Sequence, residues 1–218
     1  MKLVKEIITD EIALSERAVE IDVRTQATEM REIVKALKDT MRANNLSSLS
    51  APAIGYNRRI FCIDFKDSEI KTFINPIIAQ AKGMQLSIEK CSSIPDKEFM
   101  RPRNNDLMIV YQRPTGQIEN RQILGMSAIV FQHELDHLDG LLISDVGIEI
   151  DQDFYDATEE EREEVIAAYL DALDIKRTDV NTEIENDPEL KQISDAAKFM
   201  ESVYKGETQI EKEPIEEK

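Results

Sequence analysis

The sequence predicts an α+β fold: antiparallel strands wrapped around a buried helix, followed by an acidic helical extension. Three observations carry this. Runs of β-branched and aromatic residues recur between residues 59 and 124 and are separated by turn chemistry. A stretch with Ala128, Ile129, Val130, Phe131, Leu135 and Leu138 follows, a helix apolar nearly all round and therefore buried. The charge then breaks sharply: residues 1–148 hold 21 acidic and 19 basic side chains, whereas residues 149–218 hold 23 and 8. That break divides the chain into a 1–148 body and a 149–218 extension.

Taken in order, residues 3–23 form an irregular entry segment. Thr25 is expected to cap a helix through about Arg42, because Ala27, Met30, Ile33, Val34, Leu37 and Met41 recur at three- and four-residue steps. Asn44-Asn45 stops it. The small polar stretch Leu46 to Gly55 is expected to be a loop. Strand signals cover Arg59 to Phe65, Lys71 to Ile78 and Gly83 to Glu89. Cys62 lies among Ile60, Phe61 and Ile63 and reads as a buried small hydrophobe. Cys91 ends a strand and enters the turn Ser92-Ser93-Ile94-Pro95. Two more strands, Leu107 to Gln112 and Gln117 to Leu124, flank the turn Pro114-Thr115-Gly116. After the buried helix, Leu141 to Ile143 is extended. Thr158 with Glu161 makes a capping box for a helix through about Leu173, with Val165, Ile166, Tyr169, Leu170 and Leu173 on one face. Asp187-Pro188 starts another helix, and Gly206 to Lys218 is expected to be disordered.

The chemistry concentrates in the buried helix. The chain has two His, and both lie there, as His133-Glu134-Leu135-Asp136-His137. Residues four apart share a helix face, so both imidazoles point at one place. Glu134 projects beside them. Two neutral imidazoles at this spacing bind a divalent cation, and the carboxylate acts as general base toward a water there. This makes it the central metal-binding helix of the predicted fold. A catalytic centre takes three protein ligands. Gly140 matches the HExxHxxGxxH pattern, but Ile143 stands where its last His would be. A third ligand is left to a downstream Glu or to an upstream thiolate, and the chain has two Cys.

Composition excludes some classes. The net charge of −17 argues against broad nucleic-acid binding, which needs cations opposite phosphates. No apolar run of 18 or more residues is present, which argues against a membrane span. Two Cys without a framework pattern, and an N-terminus that meets acidic residues too early for a signal peptide, fit a reducing cytoplasm.

Three segments in this order resemble the peptide deformylases: Ala51-Pro52-Ala53-Ile54-Gly55 in a small-residue loop, Glu89-Lys90-Cys91-Ser92-Ser93, and Gln132 through Gly140. The third motif is complete and the first two are partial. The resemblance covers residues 1–148. It implies a metal on Cys91, His133 and His137, with Fe²⁺ usual and Zn²⁺, Ni²⁺ or Co²⁺ able to substitute. It implies hydrolysis of the N-formyl group from the initiator Met of new polypeptides, with Glu134 as general base and the backbone amide of Ser92 as oxyanion donor. Ser48 and Leu49 would meet the substrate backbone, and Met126, Ile129 and Val130 would line a pocket for the Met side chain. Those three apolar residues fit ordinary core equally well. A ribosome contact would use the 1–148 body, since RNA repels the acidic extension.

The sequence also departs from the family. Ala53 stands where the family has an oxyanion-stabilising Gln; loss of one such donor costs about 2.7–4 kcal/mol unless replaced. Lys90 and Ser92 replace Gly and Leu, and the Ser92 hydroxyl could stand in for the missing amide. Leu46-Ser47-Ser48 replaces a Gly-x-Gly. These changes open an alternative: a diverged relative that binds metal or a peptide N-terminus with weak or no turnover. A third reading is a metallohydrolase acting on another amide.

Overall fold

A computed structural model of the chain describes residues 2–65 and 69–186. The chain divides into two compact units, Met1–Arg162 and Glu163–Lys218. The first opens with helix α1 (Glu11–Leu14) and helix α2 (Ala27–Asn44). Strand β1 (Ser48–Ser50), a 3₁₀ turn (Pro52–Ile54) and strand β2 (Ile60–Ile63) follow. Two long strands, β3 (Lys71–Cys91) and β4 (Ile94–Gln112), lead to β5 (Ile118–Leu124) and helix α3 (Met126–Leu138). Helix α4 (Ile143–Val146), strand β6 (Ile148–Ile150), helix α5 (Gln152–Asp156) and helix α6 (Glu159–Asn186) complete the described chain. The strands form one antiparallel sheet in the order β1-β2-β3-β4-β5, with β6 on β4. The fold is α+β, as expected. No helix among the described residues is long and apolar enough to cross a membrane.

Strand β2 is buried along its whole length, and its alternation splits the core in two. Ile60 and Cys62 join Ile33, Leu37 and Met41 of α2 on one face. Phe61 and Ile63 join Phe73, Tyr111 and Phe131 of α3 on the other. Phe131 meets Phe61 edge-on at 5.1 Å and Phe73 at 5.4 Å. Burying such a ring contributes about 1.5–3 kcal/mol. Cys62 is fully buried, and burial pushes its thiol up to about 11, so it is the inert hydrophobe the sequence suggests.

The far end of α3 is pinned. Arg59 donates to the Leu138 carbonyl at 3.2 Å and to Asp139 at 2.6 Å, placing a cation at the helix C-terminus. The Ala18 N–H also donates to the Leu138 carbonyl, at 2.8 Å. This brings the entry segment so close that a Cβ on Gly140 would sit 2.4 Å from the Ser15 carbonyl oxygen. Gly140 also has φ +72°, so only glycine suits the position.

Several elements differ from expectation. The expected loop from Leu46 to Gly55 contains β1, whose polar residues pair with β2 in the register Ser48↔Ile63, Leu49↔Cys62, Ser50↔Phe61. The two strands expected at Lys71 and Gly83 are one strand, β3, bent by register shifts after Ile74 and Ile78. Strand β4 starts 13 residues before the apolar run at Leu107, since its first part is charged. Helix α2 begins at Ala27 after Gln26; Thr25 instead belongs to a turn in which the Asp22 carboxylate accepts from the Arg24 and Thr25 N–H groups. Asn45 ends that helix at φ 53°. Ile143 is not extended but opens α4, where the Asp145 carboxylate accepts from the Leu142 N–H at 2.9 Å.

Helix α6 starts at the expected capping box: Glu161 accepts from the Thr158 N–H at 2.8 Å, and the Glu161 N–H donates to the Thr158 hydroxyl at 3.3 Å. The helix runs past Leu173 to Asn186, and Val165 on its expected apolar face is exposed. The expected helix start at Asp187 and the expected disorder of Gly206 to Lys218 lie outside the described residues.

Candidate active site

Helix α3 sets His133 and His137 one turn apart, with ring centroids 5.1 Å apart and planes at 76°. Cys91 arrives from the end of β3, just before the two-residue turn into β4. Its sulfur lies 3.2 Å from His137 Nε2. One ligand atom from each of Cys91, His133 and His137 falls within 4.8 Å of the other two. Leu14, Ile94, Phe99 and Ile143 pack around Cys91, so the position of the absent third His is core.

Behind these three residues lies a buried polar relay. Successive odd residues of β3, Ser87, Glu89 and Cys91, face the same side. Glu89 Oε2 accepts from His133 Nδ1 at 2.8 Å, which turns His133 Nε2 away from the carboxylate. Arg103 of β4 grips Glu89 with two hydrogen bonds of 2.8 and 2.9 Å and donates to Asp136 of α3 at 2.6 Å. Arg101 also donates to Asp136, and the Ser87 hydroxyl donates to Glu89 at 2.6 Å. Arg103 and Glu89 are both buried, so each is held by its partners rather than by water.

The electrostatics follow from these contacts. Burial raises Glu89, but hydrogen bonds from His133 and Arg103 outweigh it and hold the carboxyl far below the usual range. Burial likewise opposes the charge on Arg103, and Asp136 and Glu89 more than restore it. For Cys91, burial is overcome by hydrogen bonds from His133 and His137, which bring the thiol down to about 6. Burial lowers His133, while Cys91 and Glu89 raise it to about 10. The thiolate and the Glu89 carboxylate thus draw positive charge to this point. A thiolate with two imidazoles is a donor set for a divalent transition metal. Three donors leave one coordination position for water or substrate. The residues fit the group.

A cavity of about 220 Å³ opens beside the cluster. His133, Glu134 and His137 line it, as do all the residues expected to meet substrate: Ser48, Leu49, Met126, Ile129 and Val130. They are not equivalent. Met126 is exposed at 70%, a rim residue, while Ile129 is buried. The Leu49 side chain packs into the α2 core, so it offers the cavity its main chain. Ser92 and Lys90 are exposed at the mouth, and Ala53 is buried in the wall. Glu134 is 4% exposed, and among the described residues its Oε2 has no hydrogen-bond partner.

Sequence reasoning missed Arg103 and Asp136, gave Glu89 no role, and treated Ser50 as loop. A signal for part of this was present. Ser87-x-Glu89-x-Cys91 and Arg101-x-Arg103 are period-two polar patterns beside a metal-ligand candidate, and on strands such patterns share a face.

Comparison with known proteins adds to this geometry. The family described as polypeptide deformylase matches residues 4–152. A peptide deformylase of Dictyoglomus thermophilum is 35% identical over 120 residues, covering 55% of this chain and 78% of its own. The crystal structure of peptide deformylase from Thermotoga maritima superposes with a TM-score of 0.61 at 27% identity, covering 66% of this chain and 97% of that one. A peptide deformylase from Synechococcus elongatus, solved in complex with actinonin, superposes with a TM-score of 0.61 at 25% identity, covering 66% and 79%.

Proposed function

The chain belongs to the peptide deformylase family, and we propose how its own residues remove the N-formyl group from the initiator Met of new polypeptides. The observation that carries the assignment of roles is the cluster of Cys91, His133 and His137, with both His and the buried Glu134 lining the cavity beside it. Cys91, His133 and His137 would hold one divalent metal, which when bound acidifies water and polarises a carbonyl. Fe²⁺ is the proposed resident ion, with Zn²⁺, Ni²⁺ or Co²⁺ able to replace it. The thiolate donor suits these ions rather than Mg²⁺ or Ca²⁺.

Glu134 takes a proton from the attacking water. The water oxygen adds to the formyl carbon, the C–N bond breaks, and Glu134 returns the proton to the departing amine. Formate and a free Met N-terminus result. The Ser92 N–H, at the turn after Cys91, donates to the oxygen as charge develops on it. Ile129 and Val130 pack against the Met side chain with Met126 at the rim, while Ser48 and the Leu49 main chain meet the peptide backbone. Glu89 and Arg103 hold His133 in place.

The 1–148 body carries this chemistry, in the cytoplasm where new chains emerge, and any ribosome contact belongs to that body. The 149–218 extension is acidic. The alternative, a relative that binds without hydrolysis, gains no support from a site that keeps Glu134 buried and facing the cavity.

The test is formate release from formyl-Met-Ala-Ser by protein purified anaerobically with Fe²⁺ or Ni²⁺. Formate and free amine should appear in equal amounts and stop with actinonin. Stoichiometric metal without formate would overturn the reading.

A further inference from the structure

Ser50 ends strand β1 with its side chain opposite to Leu49, on the face that packs against α3. Its relative exposure is 0%, yet it lines the cavity together with Ala53, Glu134, His133 and His137. Among the described residues its hydroxyl has no hydrogen-bond partner. A buried hydroxyl without a partner is costly, and native proteins rarely keep one without a use. Glu134 Oε2, in the same cavity, is in the same condition. Ser50, Glu134 and His137 all line one cavity, and each carries a buried polar atom with no partner among the described residues, an arrangement suited to a polar guest.

We propose that Ser50 is a catalytic residue, its hydroxyl donating a hydrogen bond to the formyl oxygen of the substrate and supplying the donor that Ala53 lacks. The proposal rests on the deformylase reading. Four serines line the cavity, and they differ in burial. Ser47 and Ser92 are exposed and Ser48 is half-buried, so water competes for their hydroxyls. Ser50 alone of the four is fully buried, where a donor is worth most because no solvent screens it. This moves the compensating role from the Ser92 hydroxyl to Ser50, and leaves Ser92 its main-chain N–H. The spacing also fits: Ser50 lies two residues before the 3₁₀ turn, Ala53 is the turn's second residue, and both line the same cavity.

The experiment compares wild type, Ser50→Ala and the double variant Ser50→Ala with Ala53→Gln, each loaded with Ni²⁺. It reads kcat and KM on formyl-Met-Ala-Ser together with the thermal midpoint. Ser50→Ala should lower kcat about 10²–10³-fold, the usual effect of losing one oxyanion donor. KM should stay within about threefold, because the bond strengthens only as charge develops. The midpoint should hold or rise, because an unpaired buried hydroxyl is removed. Gln at position 53 should restore at least part of kcat. Wild-type kcat in Ser50→Ala would overturn the proposal, as would a fall in kcat that tracks a fall in midpoint and that Gln does not rescue. A wild type that binds metal but releases no formate would overturn the deformylase reading itself, and this proposal with it.

Discussion

Behind His133, Glu89 meets Arg103 through two hydrogen bonds, Arg103 meets Asp136, and Ser87 and Arg101 close the remaining positions. On the substrate side of the same site, Ser50 Oγ and Glu134 Oε2 are as deeply buried and have no partner among the described residues. The contrast separates two tasks. An imidazole proposed to ligate a metal must not move, and behind His133 the carboxylate is fixed by an arginine that is itself fixed. A group that exchanges protons or receives developing charge must stay free for the substrate. Around this cavity the paired groups, Glu89 and Arg103, form the scaffold, and the unpaired Ser50 and Glu134 stand on the side proposed to react.

The largest effect should come from the unpaired side. Glu134→Gln keeps the shape and removes the base, so kcat should fall about 10²–10⁴-fold while metal content stays stoichiometric. Unchanged turnover would take Glu134 out of the mechanism. On the paired side the loss should appear in folding. Arg103→Met takes both guanidinium bonds from buried Glu89 and leaves it only His133 and Ser87, at a cost of about 3–5 kcal/mol in denaturant unfolding. If stability is unchanged, the relay does not carry the structure.

Glu89→Gln is gentler, since an amide can still accept from His133 Nδ1. Metal affinity should weaken about 10–100-fold, read by competition with a chelator, and kcat of the saturated enzyme should change little. The smallest effect belongs outside both walls. Thr158→Ala removes the hydroxyl at the start of α6 and should cost about 1 kcal/mol of helix stability. Amide exchange at Glu160 to Arg162 would detect it, with turnover unaltered.

How far the sequence revealed this site depends on which physical signal each part leaves. Helix α3 was legible because an apolar helix that carries the chain's two His at a four-residue spacing, with a Glu between them, matches a metal-binding pattern. The break between β3 and β4 at Cys91 was legible from its turn residues. The first part of β4 was not. Arg101 and Arg103 look like solvent-facing charges until Glu89 and Asp136 are seen to face them, and such pairing spans 14 to 35 residues of sequence. Strand β1 was hidden for a related reason. Ser48 and Ser50 carry no strand signal, and only the ladder to Ile63 and Phe61 makes them strand. Burial of polar residues is set by tertiary contacts, and functional sites concentrate such residues, so pattern reading loses accuracy there.

The most direct test of the contrast is the thermal midpoint of the metal-loaded protein carrying either Ser50→Ala or Arg103→Met, set beside the turnover of each. Ser50→Ala should keep or raise the midpoint while turnover drops, and Arg103→Met should lower the midpoint by well over the spread between replicate scans. A Ser50→Ala midpoint that falls as far as that of Arg103→Met would contradict the division, because the hydroxyl would then belong to the scaffold.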